Sequence, residues 1–354
     1  MWRWLLPLAT LAALTVSGCA STSSSRAPRG KILFIRADRT GGALYSVNAD
    51  GSGLHEIAAG IRRVGEDADG DCEEDRTYEP LCFAVGDARW SADGRRVVFT
   101  RPYAGLFVAD ADGSSQRRLV TGYAVDPDWS PDGRQVVFEW DTKSGRYLYI
   151  ASLTGGVRRL PNAPFGAEKP RWSRDGRTIA FVAHESQIWV MRPDGGGKRV
   201  IARAPIILDP PDWSADSQWI AYRASAGNLA DVYLVRPNGS SRTKLTRSGG
   251  VEFGPQWAPV GDGIGYIADI SCGGVLDEGG RCVSTQVLIH RTRDSPSETI
   301  DDDPSASHFD LSWSPDGTRI ALDRDATGIY VKRLDRPGLT LVVRNARLLH
   351  WATK

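Results

Sequence analysis

Asp128-Trp129-Ser130-Pro131-Asp132-Gly133-Arg134-Gln135-Val136-Val137-Phe138 decides the fold. A short strand ends in Trp129. Ser-Pro-Asp-Gly follows, with Pro suited to the second position of a tight turn and Gly to the fourth. A β-branched and aromatic strand, Val136 to Phe138, comes next. The phrase returns along the chain as ArgTrpSerAlaAspGly from Arg89, ArgTrpSerArgAspGly from Arg171, AspTrpSerAlaAspSer from Asp212, GlnTrpAlaProValGly from Gln256 and SerTrpSerProAspGly from Ser312. Successive tryptophans at 90, 129, 172, 213, 257, 313 and 351 are 38 to 44 residues apart, except for 56 after Trp257, where the unit carries an insertion.

Each unit continues in the same way. A third strand follows, such as Tyr147 to Ile150 or Ile188 to Met191, then an Asp-Gly or Asn-Gly turn, then a fourth strand such as Lys198 to Ile201 or Thr243 to Leu245. Four strands about every 40 residues is the signature of a propeller blade. The N-terminal unit has strands at Lys31 to Ile35, Leu44 to Val47 and Leu54 to Ile57 but no Trp strand. The C-terminus supplies one, Leu348 to Ala352, with nothing to pair behind it. Joining the two removes two exposed sheet edges. The expectation is an all-β, seven-bladed β-propeller over 31–354, with four-stranded antiparallel blades and a ring closed by the C-terminal strand.

The repeat resembles that of the TolB-type periplasmic propellers, whose motif is W-S-P-D-G-x-x-I-A-F, and the likeness runs through essentially all of 31–354. It implies the propeller fold and a place outside the cytoplasm. TolB-type proteins proper also carry an N-terminal α/β domain, whereas only a short Ser-rich stretch precedes the first strand here.

That stretch has its own logic. Leu5 to Val16 is an apolar run too short to span a bilayer permanently, preceded by Arg3 and ended by Val16-Ser17-Gly18-Cys19. It resembles a bacterial lipoprotein signal. Residues 1–18 are then the signal peptide, Cys19 the lipidated residue and 19–30 a flexible tether; an ordinary secretory signal is the alternative. The other cysteines form two pairs ten positions apart, Cys72 with Cys82 and Cys272 with Cys282. In an oxidising compartment these read as local disulfides.

Composition excludes little. Net charge is +1, which gives no footprint for nucleic acid, and 12 Trp against 2 Met is explained by the repeat. Catalytic motifs are missing: there is no G-x-S-x-G elbow, H-E-x-x-H helix or phosphate loop. The expectation is a monomeric, lipid-anchored propeller that binds a protein, peptide or glycan, without a required cofactor. The alternative is a polysaccharide lyase or hydrolase with a loop-built site, because related repeats occur in propeller-fold lyases.

Two features point to a binding face. Both cysteine-bearing insertions, 58–88 and 269–285, fall at connections that open on one side of such a propeller. Asp87, Asp126, Glu168, Asp209, Glu252 and Asp310 precede the Trp strands by three to five residues. They are expected around the same mouth, where mutual repulsion would favour a cationic ligand. Asp67, Asp69, Asp71 and Asp75 fit part of an EF-hand spacing, but position six is Cys72 and position twelve Tyr78, so any Ca²⁺ site there would be looser.

Overall fold

The computed structural model describes residues 30–38, 41–59, 85–101, 103–207, 209–227, 229–247, 250–269, 285–303, 306–324 and 327–352. The expected signal peptide at 1–18, Cys19, the expected tether up to residue 29, all four remaining cysteines and the acidic run at 67–75 lie outside them.

Every regular element described is a strand, and the strands fall into antiparallel groups of four. The first three are β1 (Lys31–Asp38), β2 (Gly41–Asn48) and β3 (His55–Ala58). Two sheets follow, β4 (Ala88–Trp90), β5 (Arg96–Arg101), β6 (Gly105–Asp110) and β7 (Arg117–Val120), then β8 (Ala124–Trp129), β9 (Gln135–Thr142), β10 (Gly145–Ser152) and β11 (Val157–Arg159). The next comprises β12 (Ala167–Trp172), β13 (Ile179–Ala183), β14 (Gln187–Met191) and β15 (Arg199–Arg203). Then come β16 (Asp212–Trp213), β17 (Ile220–Ala226), β18 (Leu229–Val235) and β19 (Thr243–Lys244), and β20 (Val251–Trp257), β21 (Ile264–Asp269), β22 (Thr285–His290) and β23 (Ser297–Asp301). One parallel pair, Ala230 with Val251, links these last two groups. The final strands are β24 (Leu311–Trp313), β25 (Arg319–Arg324), β26 (Gly328–Arg333), β27 (Leu339–Arg344) and β28 (Arg347–Trp351). β28 leaves the last sheet and pairs antiparallel with β1, placing Trp351 opposite Ile32 and His350 opposite Leu33.

The turn chemistry behaves as the sequence demands. Ser130 Oγ donates to Asp132 Oδ1 at 2.6 Å and accepts from the Gln135 N–H at 2.9 Å, while Gly133 takes φ +66°. Burial would raise the Asp132 carboxyl, but the Ser130 hydroxyl and Arg134 N–H hold it below its ordinary value. The same Ser–Asp pair forms at Ser91, Ser173, Ser214 and Ser314.

The apolar residues gather between sheets. Leu33, Ile35 and Leu44 of the first sheet pack with Trp90, Val97 and Phe99 of the second. On its other side, Ile32, Phe34, Val47 and Trp351 pack with Ala321, Ile329, Val331 and Val343 of the last. First strands touch in a cycle: β4 with β8, then β12, β16, β20, β24 and β28, and β28 with β4 again.

Candidate binding cavity

The residue immediately before each Trp is the last but one of a first strand. These residues are Arg89, Asp128, Arg171, Asp212, Gln256, Ser312 and His350, and all of them line one of two adjoining cavities. The first, about 240 Å³, opens beside Asp209, Phe253, Gly254, Phe309 and Asp310. The second, about 410 Å³, opens beside the Ser-x-Asp-Gly turns at Ala92, Pro131, Ser173 and Pro315. Arg89, Arg171, Arg174, Asp212, Pro259 and His350 are common to both, and these six form the waist between them.

Two hydrogen-bond patterns join neighbouring sheets here. Asp128 Oδ2 accepts the Trp172 N–H at 2.8 Å, Asp212 Oδ2 the Trp257 N–H at 2.7 Å and Ser312 Oγ the Trp351 N–H at 2.9 Å. His350 Nδ1 takes a longer one, 3.4 Å, from Trp90. Where the preceding side chain is Arg89, Arg171 or Gln256, the next Trp instead donates its indole N–H to that residue's backbone carbonyl, at 3.1 to 3.2 Å. The tryptophans are therefore cement between sheets.

The waist is rich in guanidinium. Arg89 is half-buried and Arg174 exposed, and neither side chain has a hydrogen bond or ion pair among the described residues. Arg171 is 7% exposed; it donates to the Pro170 carbonyl at 2.8 Å and lies 3.6 Å from Asp126. Burial, then Arg89, Arg174 and Arg171 together, hold His350 well below its ordinary pKa, so the ring is neutral. With Nδ1 accepting from Trp90, the neutral ring carries its proton on Nε2 and acts toward the cavity as a donor.

The six expected acids fare differently. Asp209 and Asp310 line the first cavity. Asp209 pairs with Arg223 at 3.4 Å and accepts the Gly254 N–H at 2.9 Å. Asp310 is pushed up to about 8 by burial and by Asp323, and Gln256 donates to it at 3.2 Å. Asp87 accepts the Asp126 N–H at 3.1 Å; the surrounding protein and then the Asp126 carboxylate raise its pKa. Asp126 leans on Arg171, and Glu168 pairs with Lys169 at 3.4 Å. Glu252 is fully buried, with Thr246 Oγ1 donating to it at 3.2 Å. Its position, five before Trp257 and ahead of a bulge between Phe253 and Gln256, turns it inward.

Sequence reading missed the Thr285, His308 and Asp301 chain. His308 bonds Thr285 Oγ1 through Nδ1 and Asp301 Oδ2 through Nε2, both at 2.9 Å. Burial would raise Asp301, but His308 and Arg324 outweigh it and hold it at about 2. The three residues are 4%, 1% and 6% exposed, and the Thr285 hydroxyl already accepts the His308 N–H at 2.7 Å. The three form a buried clamp at the start of β22.

No family model matches the chain. An uncharacterized protein of Agrobacterium fabrum is 25% identical over 251 residues, covering 66% of this chain and 83% of its own. The structure of a putative TolB from Agrobacterium tumefaciens superposes with a TM-score of 0.52 at 20% identity, over 88% of this chain and 99% of that one. An oligogalacturonate lyase in complex with manganese gives 0.61 at 13% identity, over 86% of each. At these identities the likeness speaks for architecture alone, and the architecture of this chain is that of a β-propeller.

Proposed function

We propose that the chain is a seven-bladed propeller, closed by β28 and held outside the cytoplasm by lipid on Cys19, that binds a protein, peptide or glycan at its insertion-bearing face. The cycle of contacts between first strands supports seven blades around one channel. The observation that carries the binding face is the position of the insertions. Segment 60–84 returns to the chain at Val85, just ahead of β4, and 270–284 joins Asp269 to Thr285, which pair beside the start of β20. Both therefore meet the propeller at the end of the sheets where the first cavity opens. Ordered scaffolds carry binding on such loops.

Orientation adds to this reading. Gly30 packs against Pro315, in a turn at the opposite end of the channel. A tether leaving there would direct the insertion-bearing mouth away from the membrane. The partner then approaches past Phe309, which is 46% exposed beside the first cavity.

The test is a photo-crosslinking amino acid placed at Phe309 or at Val260, which is 50% exposed at the other end. Discrete adducts from position 309 and none from 260, in membranes of the native host, are expected. The reverse pattern would assign the partner to the turn face. Turnover of a polysaccharide by the purified protein would instead establish the lyase or hydrolase alternative.

A further inference from the structure

We propose that the channel waist is a binding site for a small oxyanion, a carboxylate or phosphate group, held by Arg89, Arg171 and Arg174 with the Nε2–H of His350. The charge expected from sequence at the mouth was negative; the waist below it presents donors of the opposite character.

Four observations meet at this point. The three arginines come from two sheets and line both cavities, so a group at the waist is reached from either end. All three act electrostatically on His350, and all three act on Asp212, which places their charge on one locus. The side chains of half-buried Arg89 and exposed Arg174 have no partner among the described residues, so both guanidiniums are available to a ligand. The wall carboxylates are turned to other groups: Asp128 and Asp212, the latter at the waist itself, each accept a Trp N–H through Oδ2, Asp126 lies beside Arg171 and Asp209 holds Arg223.

An arginine fork matches the planar oxygens of a carboxylate or the face of a phosphate, and a low-dielectric surround strengthens the bond. A His fixed as an Nε2–H donor adds a neutral hydrogen bond without demanding a proton from solvent. The cavities, about 240 and 410 Å³, fit a small molecule or one acidic group at the end of a larger chain. The site is separate from the partner surface proposed at the mouth, so either stands if the other fails.

The experiment titrates inorganic phosphate and malonate calorimetrically into the full chain in detergent, with sodium chloride at matched ionic strength as reference. Saturable one-to-one binding of either anion is expected. Arg89→Gln and Arg174→Gln should each weaken it roughly tenfold or more. Both variants should keep the wild-type circular dichroism spectrum and melting temperature in chloride, since neither side chain holds the fold together. Malonate binding alone assigns a carboxylate ligand, phosphate binding alone a phosphoryl ligand, and both a general oxyanion site. Heats no different from chloride, or undiminished binding by the double variant, overturn the proposal.

Discussion

Asp212 Oδ2 accepts the backbone N–H of Trp257 at 2.7 Å, while the Trp257 indole N–H has no partner among the described residues. The same trade holds at Trp90, Trp172 and Trp351, each bonded through its backbone and unpaired at the indole. Trp129, Trp213 and Trp313 are fastened instead through the indole. The identity of one residue in a sheet thus decides how the next sheet is fastened to it.

This gives a contrast between two alanine variants. Asp212→Ala removes the acceptor and leaves a buried N–H unmet, at a cost of about 1–3 kcal/mol. Arg89→Ala leaves intact the carbonyl that Trp129 uses, and should change stability by no more than about 0.5 kcal/mol. Denaturant midpoints of the two variants check this; equal losses would mean that the fastening does not depend on the side chain.

Trp351 is fully buried between the first and last sheets. Trp351→Ala should destabilise by about 3–5 kcal/mol. Deleting 346–354 should cost more, because β1 also loses its hydrogen-bonded neighbour. An unchanged melting temperature after the deletion would mean the ring closes without β28.

Asp310 supplies a pH dependence. Its folded pKa of about 8 lies above the ordinary 3.8. The folded chain therefore holds a proton that the unfolded chain has released, and stability falls as pH rises between those values. Asp310→Asn keeps the oxygen that accepts from Gln256 and Leu311 but removes the titration. Its melting temperature relative to wild type should climb from pH 5 to pH 9; a constant difference across that range would refute the assignment.

Cys19→Ala should release the protein from membranes or stall processing of its precursor. Detergent phase partitioning reads the outcome, and a variant that partitions as wild type does would exclude lipid on Cys19.

The strands were legible because turn and strand chemistry repeat together. Strands expected at Tyr147 to Ile150 and Ile188 to Met191 are the cores of β10 and β14, and Leu348 to Ala352 overlaps β28 almost entirely. The site was less legible. The six acids stand three, four or five residues before their Trp, and side chains alternate faces along a strand. Bulges at Val125/Asp128, Glu168/Arg171 and Phe253/Gln256 shift the direction again, with left-handed φ at Asp126, Lys169 and Gly254. A shared neighbourhood in sequence therefore did not become a shared direction in space. The position just before the Trp keeps one register in every unit. It escaped notice because Arg, Asp, Arg, Asp, Gln, Ser and His share no chemical type, and their charges largely cancel.

The pairing of β28 with β1 has a consequence for timing. Delivery of the chain from its N-terminus brings out Lys31–Asp38 well before Arg347–Trp351, so the first sheet waits for the strand that covers its edge. Leu33 and Ile35 can meet the second sheet at once, but Ile32 and Phe34 have no wall to pack against until the last sheet exists. Contacts between distant parts of a chain form slowly. The apolar face formed by Ile32 and Phe34 thus stays uncovered until Trp351 and the last sheet are in place.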